Sequence, residues 1–520
     1  VLLSLSVQAH ATLVSTPVGE PCSAMFNFNG EAYFCADNPL AGAELHAANG
    51  GRYSTRLVVD LALGSDGSSP FGFFELNGFL YFFADTAAAG HALWRTDGTA
   101  AGTVLIRSIS QDFGGYPTRV KSVLAQRETI VAEGNGVVYF EAYSTPGDVN
   151  GEPEELIRTD GTFSGTKEIV NTSLVGGFVG SLSATNYRVF GGDLYYLSLG
   201  ALHRVSGDVS NLVATIPFDS GGDATLFTDL TLDGNMVISA AGEIWLSDGS
   251  VSGTELYRPS VGVDPPRVFP FAVLSNKLLY LALEDIPQLL ATDTPDDEVV
   301  IESLSGFSLL LSSQAVFGGR LLVADKTETY STDGTITGTV STAATNLYSA
   351  RQINSSFFGF AGEPTFQNPA SDLVKFEPAT LARINLKSNL RRSSILGGVS
   401  QGVLFSDVPS DSYAEIWLSD GSVVGTKKLK TLSSSHSIVE LHREGGRAYM
   451  LNFPDSGSSG EVWHSDGTVA GTYRLDFTYE NGVIPPSKEV LGSLPASLFL
   501  LLLDEDAAPK SANKGDIQSN

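Results

Sequence analysis

The sequence predicts an all-β fold, a β-propeller of about ten four-stranded repeats of ~46 residues, closed as one large toroid or split into two smaller rings in tandem. Three observations predict it. Glycine is abundant and charge sparse, 55 of 520 residues and 17%, the profile of a turn-rich β protein. A twelve-residue segment recurs almost unchanged as Glu243 to Thr254, Glu415 to Thr426 and Glu461 to Thr472. Upstream of such segments lies a short apolar run, best seen in Gly78 to Ala84 and Gly192 to Leu197, and repeated at Tyr33-Phe34, Tyr139-Phe140, Tyr280-Leu281, Leu404-Phe405 and Tyr449-Met450.

Looser copies of the first segment centre on Asp97, Asp160 and Asp333, making six clear ones. The intervals from Asp160 to Asp248, Asp333 and Asp420 are 88, 85 and 87, about twice the 46 between Asp420 and Asp466, so a worn copy belongs in each gap. These fall at Leu202-His203, Leu289-Leu290 and Leu373-Val374, and a tenth copy, Glu44-Leu45-His46, precedes the clear ones. A last apolar run, Leu498 to Leu503, has no acidic turn after it.

Residues 70–109 give the element order of one repeat. Strands are predicted over Phe71 to Leu76 and Phe79 to Ala84 around an Asn77-Gly78 turn, then over Ala92 to Thr96 and Thr103 to Ile109 around Asp97-Gly98. The second strand is almost continuously apolar because a blade is covered on both faces. In the turn motif, Asp97, Asp160, Asp248, Asp333, Asp420 and Asp466 each offer a carboxylate to nearby turn amides, and the following glycine supplies positive φ. The motif reads as a hairpin lock; one carboxylate per turn is far from the six to eight oxygens that calcium takes. Trp94, Trp245, Trp417 and Trp463 share one position of the third strand, with His46, His203, Leu290 and Val374 in their place elsewhere. They read as inter-blade core wedges, the alternative being an aromatic platform for sugars.

The segments Glu415 to Thr426 and Glu461 to Thr472 resemble the ELWxxDGT repeat of exported bacterial proteins, and worn copies extend the resemblance over about residues 20–500. It implies an exported or cell-surface propeller-like array used in binding or adhesion, and carries over no catalytic residues.

The ends and cysteines agree with export. Val1 to Ala11 reads as the remnant of a signal peptide, 12–503 as the repeat array and 504–520 as a polar, disordered tail. The stretch Ala11 to Thr16 has the character of a fourth strand and is expected to complete the last blade beside Leu498 to Leu503. Cys22 and Cys35 flank a hairpin turn at Asn29-Gly30 and either form a disulfide or remain buried thiols.

Chemistry is harder to find. The net charge of −27 disfavours a nucleic-acid partner, and no apolar run is long enough for an integral membrane protein. The seven histidines are scattered, and HExxH, GxSxG, Walker and dinucleotide motifs are absent. No cofactor is therefore expected. Calcium has one candidate loop, Asp148, Asn150 and Glu152, whose plainer reading is a solvated acidic loop, as it is for Asp293, Asp296, Asp297 and Glu298. Asn171 and Asn354 begin glycosylation sequons. The expected function is non-enzymatic: loops presented to a surface glycan, a matrix polymer, a protein or another copy of the chain. The alternatives are a polysaccharide hydrolase or lyase with carboxylates converging at the central opening, and a subunit of an extracellular filament.

Overall fold

Turn chemistry sets the strand boundaries. Asn29-Gly30 and Asn77-Gly78 both adopt left-handed φ, 53° and 79° in the first pair and 53° and 77° in the second, the conformation that lets two residues reverse a twisted hairpin. The flanking strands are Phe26–Phe28 with Glu31–Asn38, and Phe71–Leu76 with Phe79–Thr86. This is a computed structural model, which describes residues 14–479 except 20, 39, 118–129, 144–154, 171–186, 199, 217–223, 241, 260–266, 284–287, 293, 295–297, 304–314, 325–327, 344–346, 363–370, 411, 434 and 455–459.

Ten antiparallel blades result, each pairing its strands in chain order. In order they span 26–59, 71–108, 116–168, 187–215, 224–258, 267–303, 315–343, 347–390, 395–433 and 435–474, and are numbered one to ten below. Blade three carries an extra two-residue strand, Tyr116–Pro117, on its second strand, Val137–Tyr143. First strands of successive blades approach one another, so they converge on the centre and the fourth strands form the circumference.

The core is divided among the seams. Among the described residues each of the ten seams between adjacent blades has a hydrophobic cluster, and the seam of blades six and seven has a second, Leu281 with Tyr330. The tenth joins Tyr449, Val462 and Leu475 of blade ten to Phe34, Ala36 and Ala48 of blade one, which closes a single ring. Second strands face both neighbours: Leu80 and Phe82 pack on blade one, Tyr81 and Phe83 on blade three.

A two-stranded ribbon secures the closing seam. Val14–Pro17 pairs antiparallel with Asp476–Tyr479, and the Val18 amide donates to Leu475 O at 3.0 Å. The N-terminal strand therefore clasps the end of blade ten through residues 476–479, correcting the expected partner Leu498 to Leu503, which lies outside the described residues. The end of blade two is also corrected. Its fourth strand is Val104–Ser108, after which Ser108 caps a short helix, Ile109–Asp112, by accepting from the Gln111 amide.

Cys22 and Cys35 are bonded, with Cα atoms 5.0 Å apart and the Cys22 amide donating to Cys35 O at 2.9 Å. The bridge ties the entry of blade one to its second strand, beside the clasp. Reduction should destabilise the protein by about 3 kcal/mol, as expected for a loop of this size, measured as the shift in urea midpoint with and without dithiothreitol. An unchanged midpoint would mean that the clasp holds this segment unaided.

Candidate functional site

The six motif aspartates are occupied within their own turns. In blade two the Thr99 amide and hydroxyl both donate to Asp97 Oδ1, at 2.9 and 2.7 Å, the Gly102 amide donates to Thr99 Oγ1, and Thr96 Oγ1 accepts from the Gly98 amide. The same pattern recurs around Asp160, Asp248, Asp333, Asp420 and Asp466. Hydroxyl and amide donors hold Asp97, Asp248 and Asp420 below the usual carboxylate range. The carboxylate folds over the second glycine of the motif: a Cβ on Gly471 would stand 2.0 Å from Asp466 Oδ1. That glycine is required for space, whereas Gly467 is required for its φ of 87°.

A double-mutant cycle tests this lock. Asp466→Ala should destabilise by about 1 kcal/mol, and Gly471→Ala by a similar amount because it evicts the same carboxylate. The double variant should then fall short of the sum by about 1 kcal/mol. Strict additivity in chemical denaturation would separate the two residues.

The turns also bind the preceding blade. Tyr81 Oη donates to Gly161 O at 3.2 Å, Tyr195 Oη to Gly249 O at 3.4 Å, and Arg56 Nη1 to Gly98 O at 3.1 Å.

The tryptophans pack between blades, as expected, but at the margin of the core and not inside it. Trp94, Trp245, Trp417 and Trp463 are half-buried and lie on the margin of the cluster shared with the preceding blade. The buried wedge is the residue before each: Leu93, Ile244, Ile416 and Val462 face the following blade. Alternation along the third strand sends the two neighbouring residues to opposite faces of the blade. The motif glutamate then accepts the indole N–H, from Trp245 to Glu243 at 3.0 Å and from Trp417 to Glu415 at 2.9 Å. Trp94, with Ala92 two residues earlier, has a buried Nε1 without a hydrogen-bond partner.

Asp148, Asn150 and Glu152, with Asp293, Asp296, Asp297 and Asn171, lie outside the described residues. Glu298 accepts from Arg258 Nε at 2.9 Å. Among the described residues no three His, Cys, Asp or Glu side chains are grouped to hold a metal, and no helix is long and apolar enough to cross a membrane. His46, His203, His442 and His464 are held below the usual imidazole pKa by burial.

A cleft of about 380 Å³ opens where blades eight, nine and ten meet, at the turns between their first and second strands. Beside it the first strand of blade nine, Ile395–Val399, contains Gly397 and Gly398. A Cβ at Gly397 would meet Arg443 Cδ at 2.7 Å, and one at Gly398 would meet Ile353 Cγ2 at 2.7 Å. Side chains from blades eight and ten therefore lean across blade nine. Glu440 of blade ten binds Arg443 on its own strand and Arg351 from blade eight. The carboxylate is mostly covered, 18% exposed, while the guanidinium side chains are 44% and 42% exposed. Gln352, Asn354, Ser400 and Arg443 supply the polar lining, Ile353 and Val399 the apolar part.

Sequence reasoning missed this site. Its signal in the sequence is the Gly397-Gly398 pair just ahead of the apolar run at Leu404-Phe405, where the other repeats carry side chains.

No protein-family model matches the sequence, and no curated protein matches it significantly. Among solved structures it is similar to a eukaryotic initiation factor, at 11% identity over 77% of this chain and 96% of that one, with a TM-score of 0.40. It is similar to the extracellular domain of a putative one-component system from B. thetaiotaomicron, at 12% identity over 90% and 77%, with a TM-score of 0.27. A prolyl endopeptidase is similar at 12% identity over 84% of this chain and 54% of that one, with a TM-score of 0.33. At these TM-scores the likenesses carry no argument about what this chain binds or does.

Proposed function

We propose that this protein is an exported or cell-surface binding scaffold of the ELWxxDGT repeat type, which holds a glycan or matrix polymer at the cleft over blade nine without transforming it. The observation that carries the reading is the cleft itself. It presents guanidinium, amide and hydroxyl groups on strands and turns of three packed blades, and rigid presentation of polar groups in a concavity is what a recognition site needs. Among the described side chains the nearby carboxylate, Glu440, is engaged by two arginines, whereas glycoside cleavage uses a pair of carboxyl groups flanking the bond. The Cys22–Cys35 bridge supports an oxidising compartment.

A glycan screen with the intact protein at pH 7 tests the proposal. Retention of at least one glycan class without release of new reducing ends is expected. Cleavage of a retained glycan would overturn the non-enzymatic reading.

A further inference from the structure

We infer that the cleft over blade nine recognises a sugar acid, a ring bearing one carboxylate and several hydroxyls. This rests on the scaffold reading above and deepens it. Arg443 uses Nε on Glu440, and no other protein acceptor holds its guanidinium among the described residues. The terminal nitrogens form a fork suited to a carboxylate. Arg351 stands on the far side of the same Glu440, so among the described side chains two cations share one anion.

The neighbouring amides decide between kinds of anion. Asn354 Nδ2 donates to Val399 O at 3.4 Å, and Gln352 Nε2 donates to Asn354 O at 3.5 Å. Each amide spends one N–H on backbone, which leaves its second N–H and its carbonyl oxygen for a ligand. An arginine fork flanked by amides that can exchange hydrogen bonds with hydroxyls suits a carboxylate carried on a hydroxylated ring. Ser400, at the floor of the cleft, donates or accepts as required. The overall acidity opposes a densely charged polyanion, which favours a ligand with a single carboxylate.

Isothermal titration of the full chain at pH 7 and low salt should give millimolar binding of glucuronate. Glucose, glucuronate methyl ester and inorganic phosphate should each bind at least about tenfold more weakly. Arg443→Gln should abolish the preference for glucuronate over glucose, and Arg443→Lys, which keeps the charge but not the fork, should weaken it in part. An unchanged thermal midpoint in both variants shows that the ring is intact. Phosphate binding as tight as glucuronate, or glucuronate binding that survives Arg443→Gln, overturns the assignment. A neutral glycan retained equally by wild type and Arg443→Gln would remove the sugar-acid site while leaving the scaffold reading in place.

Discussion

A chain lacking residues 1–18 should lose on the order of 4 kcal/mol of stability and self-associate as its concentration rises. The deletion removes the strand paired with Asp476–Tyr479 and takes away Val18, which is fully buried in the closing cluster. Burying a valine contributes about 2 kcal/mol, and each backbone bond of the ribbon about 1 kcal/mol. Phe477 would retain its contact with His46, but its strand would become an unpaired edge, which invites pairing with another chain. Deletion of residues 1–11 is the control, because it stops short of the clasp. Urea denaturation and size-exclusion chromatography distinguish the two truncations; equal behaviour would show that blades one and ten close without the ribbon.

Acid should weaken the same seam. Three histidines lie along it. His46 of blade one is buried against Phe477 with Nδ1 on Glu44 O and Nε2 beside the Asn38 amide. His442 and His464 belong to a row, His442, Tyr449, His464 and Tyr473, that crosses the four strands of blade ten. Burial pushes His46 down to about 4, against the pull of the Glu44 carbonyl. Burial also lowers His442, with Glu440 opposing and Arg443 assisting, and His464, with Gly471 O and Asp466 opposing and Arg447 assisting.

A depressed folded pKa means that the unfolded chain takes up the proton first. Stability from His46 is therefore full above the unfolded value near 6.5 and is lost as pH falls towards 4, about 2 kcal/mol having gone at pH 5. Other groups titrate differently. The motif aspartates, held low by their turn donors, weaken the fold only below about pH 4. Glu44, raised by burial, gains stability as it protonates. Urea midpoints at pH 7 and 5 should drop for the wild type, and the drop should shrink by about 2 kcal/mol in His46→Leu. An identical pH response in that variant would take His46 out of the account.

The blade and its period were legible because a propeller repeats local chemistry. Asn77-Gly78 and Asp97-Gly98 state where strands reverse, and the apolar run from Phe79 to Ala84 states which strand is covered on both faces. Ring closure was not legible, since it depends on the clasp partner at 476–479 and on Tyr449 meeting blade one. That the tryptophans pack between blades was legible, but their place at the margin was not, because a strand pattern gives the face of a side chain and not its depth. The cleft was hidden for a different reason. Arg351 and Glu440 are 89 residues apart and meet across an intervening blade, where Gly397 and Gly398 leave room for Arg443 and Ile353.

The bond from a second-strand tyrosine to the next turn glycine is made both by Tyr81 to Gly161 and by Tyr195 to Gly249. A unit that docks on its predecessor by a standard joint can be duplicated or excised in the gene without redesign of its neighbours. Blade number then becomes a heritable variable, limited by how far each joint rotates the next unit and whether the last still reaches the first. Specific recognition must therefore come from the places where a unit departs from the standard, and the two glycines of blade nine are such a departure.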